Sequence, residues 1–132
     1  MLTKDLFYDL KKIKEKNSRL LDNSIFLMEN NRLEELRINE LFSIEKGKVD
    51  SLIVFNSKIE LELEENELSD EILPIETLRE LFYFLDMKHD RKEPVLNNPL
   101  IYLPQSEELK LISLKNNESN TETLVFCKEG TI

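Results

Sequence analysis

"KIELELEENELSDEILPIETLRELFYFLDM", from Lys58 to Met87, changes its period halfway along. In the first part Ile59, Leu61 and Leu63 alternate with Glu60, Glu62 and Glu64. Successive strand side chains point to opposite faces, so this stretch predicts a strand with one apolar and one acidic face. A slip of one residue would bury three carboxylates, so the pattern also sets the register. In the second part Ile75, Leu78, Leu81, Phe82 and Leu85 recur at helical spacing, with Phe84 widening the stripe. Pro74 suits the first turn of that helix, and Glu76 suits the positive end of its dipole.

The flanks fit the same scheme. "TKDLFYDLKKIKEKNSRLLDN" carries Leu6, Leu10, Ile13 and Leu20 near one helical face, with Phe7 and Leu21 beside them. Thr3 is the expected N-cap, Asp5 suits the first turn, and Asn23 is the expected end. "SIFLME" reads as a strand stopped by a turn at Asn30-Asn31. "RLEELRINELFSIE" fits either period. Leu36, Ile38, Phe42 and Ile44 alternate, whereas Leu33, Leu36 and Leu41 partly match a helix, and the β-forming residues near its end favour a strand there. "EKGK" predicts a turn at Gly47, "VDSLIVF" a β-branched strand, and Asn56-Ser57 a tight turn into the acidic strand. "KHDRKE" closes the second helix. Pro94 to Ser106 has no charge and three prolines, and it predicts a short buried strand at "LIYL". "EELKLISLK" and "TETLVFCK" then alternate as two strands about a turn in "NNESN". The expected architecture is a single α+β domain over residues 1–132. Its order is an N-terminal helix, a β-meander, a second helix and three further strands, in a mainly antiparallel sheet.

Composition excludes several functions. The chain has 132 residues, 40% of them hydrophobic, which is enough for one buried core. Gly47 and Gly130 are the only glycines, so neither a phosphate loop nor a dinucleotide fingerprint can be built. His89 and Cys127 are the only nitrogen or sulfur ligands, too few for a structural zinc site within one chain. One cysteine forms no internal disulfide, which suits a reducing cytoplasm. No run is apolar enough to span a membrane, and Met1 to Lys16 lacks the form of a signal peptide. There is no alanine, so helices must pack through large side chains.

The net charge of -9 is concentrated. Residues 1–58 hold 11 basic and 10 acidic side chains, residues 59–93 hold 4 and 12, and residues 94–132 hold 3 and 5. Between Glu60 and Glu76 there are 8 acids and no base. A charge run is most often a solvated face. Its functional reading is a surface for a basic partner, formed by Glu60, Glu62, Glu64, Glu65, Glu67, Asp70 and Glu71. Alternate carboxylates stand about 7 Å apart on a strand, near two phosphate steps of duplex DNA. The expected function is therefore a non-enzymatic inhibitor of a basic, nucleic-acid-handling protein, of the toxin-immunity or phage anti-defence kind. No catalytic residue, metal or cofactor is expected. Calcium would need six to eight oxygen ligands and a glycine-bearing loop. Direct contact with nucleic acid is opposed by the field.

Other chemistry is thinner. Glu108-Leu109-Lys110 resembles the E-x-K element of metal-dependent nucleases of the PD-(D/E)xK type. That resemblance implies magnesium on Glu108 and on Asp50 or Asp90, with Lys110 orienting a water. His89 lies between Asp86 and Asp90 and could gain basicity from either, but no nucleophile stands near it in sequence. Cys127 reads as a buried thiol, with pairing to His89 left open. Tyr102 could anchor a binding loop or fill the core. The element order, length and acidity resemble the type III secretion chaperones. That resemblance implies a dimer holding an unfolded client in apolar grooves, here on the Ile75–Leu85 helix face.

Overall fold

A computed structural model describes residues 2–43, 48–56, 66–68, 75–103, 107–116, 118 and 121–128. The expected Gly47 turn, the Ile59–Glu64 strand with its lead-in turn at Ser57, and Pro74 lie outside the described residues. The chain is α+β and its sheet is mostly antiparallel. Two α-helices are described, α1 (Thr3–Asn17) and α2 (Leu78–Asp90). The strands among the described residues are β1 (Phe26–Glu29), β2 (Arg32–Ser43), β3 (Lys48–Asn56), β4 (Asn66–Leu68), β5 (Ile101–Leu103), β6 (Glu107–Asn116) and β7 (Thr121–Lys128). Short 3-10 turns follow α1 at Ser18–Asp22 and precede β5 at Pro94–Asn97.

The strands run β1-β7-β6-β5-β3-β2-β4, and β1 also pairs with β2, so the sheet curls back on itself. Two neighbours are parallel, β3 with β5 and β1 with β7. Parallel pairing needs a long crossover, and α2 lies on the connection from β3 to β5. Leu27 opposite Phe126 joins the first strand to the last.

The ambiguous stretch from Arg32 is one long strand. Leu36 and Ile38 are buried, whereas Leu33 is 48% exposed on the other face. Period two therefore prevails over the partial helical match, because β2 has a partner along its whole length in β1 and β3. The hairpin before it is tight. Glu29 faces Arg32, leaving Asn30 and Asn31 as a two-residue loop with φ of 51° and 62°. Both angles are left-handed, as a type I′ turn requires, and asparagine tolerates that region.

The caps differ from expectation at both helices. Leu2, not Thr3, is the N-cap of α1. Thr3 is fully buried inside the first turn, where its hydroxyl donates to the Asn98 carbonyl at 2.7 Å and docks α1 against the approach to β5. Asp5 does serve the first turn, accepting from the Leu2 amide at 3.2 Å. α1 ends at Asn17, and a 3-10 turn carries the chain on to Asn23, whose side-chain amide donates to the Leu20 carbonyl at 2.8 Å. α2 begins at Leu78 and not near Pro74. Thr77 caps it by accepting from the Glu80 amide at 3.3 Å, so Glu80 and not Glu76 fills the acidic first-turn position.

One core joins the helices to one sheet face. Leu6, Phe7 and Leu10 of α1 meet Leu78, Leu81, Phe82 and Leu85 of α2, over Leu36, Ile38, Leu52, Val54, Leu109, Leu124 and Phe126 of the sheet. Phe7 stacks on Phe82 with centroids 5.7 Å apart. Without alanine the helices meet through such large side chains. Arg79 ties α2 to the turn after α1, reaching the Asp22 carboxylate at 2.8 Å and the Ser18 carbonyl at 2.7 Å. That hydrogen bond raises the guanidinium pKa further above its usual value, so Arg79 keeps its charge.

The β1–β2 turn is a direct test of this hairpin. Asn31→Ala is expected to lower the stability read by urea unfolding by about 1–2 kcal/mol, since alanine is strained at positive φ. Asn31→Gly should cost nothing measurable.

Candidate functional site

Most of the expected acidic surface, Glu60, Glu62, Glu64, Glu65, Asp70 and Glu71, lies outside the described residues. Glu67 is in β4, opposite Phe42 of β2. β4 ends the strand order and pairs with β2 alone among the described strands. A strand in that position presents backbone groups at a sheet border.

The other anticipated residues separate. The α2 stripe of Ile75, Leu78, Leu81, Phe82 and Leu85 is buried in the protein's own core, so it is no open groove for a client. The larger apolar side chains exposed on the helices are Tyr8, Tyr83 and Met87. Tyr102 is 2% exposed and is a core residue, not a loop anchor. His89 is exposed at the end of α2, where its ring stacks on Phe7 at 4.8 Å and its Nε2 lies 3.4 Å from the Tyr8 hydroxyl. It is held by aromatic packing from α1, and its expected partners Asp86 and Asp90 form no described pair with it.

Glu108 and Lys110 stand two apart on β6, on the face opposite Leu109, which enters the core beneath the helices. Asp90 belongs to α2 and hence to the helical side. No group of three or more acids, histidines or cysteines arranged for a metal occurs among the described residues.

Cys127 is 5% exposed. Leu124 and Phe126 enter the helix-covered core, and Cys127 faces away from it, directly opposite Lys110. On that side a concavity of ≈ 800 Å³ opens. Met28, Ile112, Leu114 and Cys127 supply its apolar lining, Lys110 and the Lys128–Glu29 ion pair its charges, and the Asn30-Asn31 turn part of its wall. His89 is not among its described lining residues. A sheet with one face under helices ordinarily turns a polar face outward. Here the outward residues of β1, β6 and β7 include Met28, Ile112, Leu114, Val125 and Cys127. The alternation in "TLVFCK" is imperfect for this reason, since Leu124, Val125, Phe126 and Cys127 are all buried.

Sequence reasoning missed a charged cluster under α2. Lys88 is a buried residue in the core-facing row Leu78, Leu81, Leu85 and Lys88. Its ammonium lies 3.1 Å from Glu93 and 3.5 Å from Glu40 of β2, and 5.2 Å from the centre of the Phe84 ring. Glu93 Oε2 is buried with no hydrogen-bond partner among the described residues. The signal was present, because Lys88 continues the helical spacing of the apolar stripe. "KHDRKE" reads instead as a solvated helix end.

The chain matches no protein-family model, no curated protein and no solved structure. No described helix is long and apolar enough to cross a membrane.

The Lys88 cluster is a structural constraint with a measurable cost. Lys88→Met should destabilise the protein by roughly 3–5 kcal/mol in urea unfolding, because it removes the buried cation beside Glu93 and Glu40. Adding Glu40→Leu should recover part of that loss, and the coupling in a double-mutant cycle checks it.

Proposed function

We propose that this chain is a non-enzymatic binding protein that inhibits a basic, nucleic-acid-handling protein through the acidic stretch from Glu60 to Glu71. Immunity and phage anti-defence proteins are the functional kind intended. The observation that carries the reading is the coincidence of charge with a strand at the sheet border. Residues 59–93 hold 12 acids against 4 bases, and Glu67 lies on β4, which has one described partner. A basic protein gains two things from such a margin. Long-range attraction speeds association, and strand groups without a partner among the described residues offer backbone hydrogen bonds once contact is made. The charge balance also disfavours direct binding to nucleic acid. A cytoplasmic setting agrees with the single cysteine.

The test is a pull-down from lysates of the source cell and of its host or competitor, at low and high salt. Wild-type protein is compared with the Glu60→Lys/Glu62→Lys/Glu64→Lys variant. Salt-sensitive capture of an identified basic nucleic-acid-binding protein, with affinity at least about tenfold lower for the variant, is the expected result. Equal capture by both proteins, at equal thermal stability, would overturn the reading.

A further inference from the structure

We propose that the concavity between β1, β6 and β7 binds an amphipathic carboxylate, namely a medium-chain fatty acid with its head on Lys110. This is independent of the acidic stretch. Two observations carry it.

The first is charge complementarity. Lys110 is partly exposed beside the apolar Met28, Ile112, Leu114 and Cys127, in a lining that also holds Glu29, Asn30, Asn31 and Lys128. Lys128, at the rim, already bonds Glu29 at 2.6 Å. Lys110 has no carboxylate partner among the described residues. An ammonium beside Met28, Ile112, Leu114 and Cys127 is poorly hydrated on that side, and one anion would satisfy it.

The second is size and shape. The volume of ≈ 800 Å³ falls in the range of roughly 300–1,000 Å³ usual for small-molecule sites. Lys110 and Leu114 lie four residues apart on β6, about 13 Å along the strand. An extended alkyl chain with a head at Lys110 would follow that line. Met28 lines the same hollow from β1, on the far side of β7 from β6, and its flexible thioether can mould to such a chain.

The full chain would be titrated calorimetrically with dodecanoate below its micelle concentration, with dodecanol as the uncharged probe. Saturable one-to-one binding of dodecanoate is expected. Lys110→Met should weaken it about tenfold, while leaving dodecanol binding unchanged. Leu114→Glu should abolish both. Lys115→Met, one residue further along β6 and not among the lining residues, should match wild type. Circular-dichroism melting checks that each variant is folded, and Lys110→Met suffices alone if Leu114→Glu is not. No saturable heat from the wild type would overturn the proposal. So would equal affinity in Lys110→Met, equal loss in Lys115→Met, or binding of several molecules that no variant alters. The same result for an acidic peptide in place of dodecanoate would replace the ligand class.

Discussion

β1 is four residues long, and the sheet closes through it. It pairs with β2 on one side and β7 on the other, so the strand after the first helix holds the last strand of the chain. A strand this short contributes little on its own. Its position is set by the two-residue turn at Asn30-Asn31 and by Leu27, which is fully buried opposite Phe126. Because β1 fills both hydrogen-bonding edges, it removes two borders that would otherwise be exposed. The described order ends at β4, beside the acid-rich part of the sequence.

The closure also divides the sheet into two unlike faces. The helices cover one face with a continuous core from Leu6 to Phe126, and the absence of alanine makes that core a set of large side chains in contact. Interiors of this kind are close-packed, so they accept a charge only with compensation. Lys88 enters between Glu40 and Glu93, and the aromatic face of Phe84 lies over its ammonium. The arrangement joins α2, β2 and the loop before β5 at one point. The opposite face carries no described helix, yet it is apolar where β1, β6 and β7 meet. That hollow combines Met28, Ile112, Leu114 and Cys127 with Lys110 and the Lys128–Glu29 pair.

Much of the fold was legible in the residues. The order of helices and strands follows from period alone, because an amphipathic element declares its own geometry through the spacing of Leu, Ile and Phe. Thus "TLRELFYFLD" could be read as a helix and "EELKLISLK" as a strand with no neighbour in view. Excluding a phosphate loop and a structural zinc site needed only the count of glycine, histidine and cysteine. Helix boundaries were less legible. Thr3, the expected cap, lies inside the first turn behind Leu2 with its hydroxyl donating to the Asn98 carbonyl, whereas Thr77 caps α2.

The sequence by itself determined the class of fold, the segregation of acid into residues 59–93 and the absence of several kinds of active site. Tertiary structure decided which surfaces face which. Period cannot say whether a strand's second face meets solvent, a helix or a hollow, since that depends on the neighbours across the sheet. Leu33 and Leu36 are the same residue type three positions apart, and burial separates them only because β2 turns one side toward the helices. Likewise Lys88 and Lys110 look like ordinary surface lysines in the chain. Long-range pairing places the first against two carboxylates and the second in an apolar concavity, because the energy of a charge is set by the groups that folding brings around it.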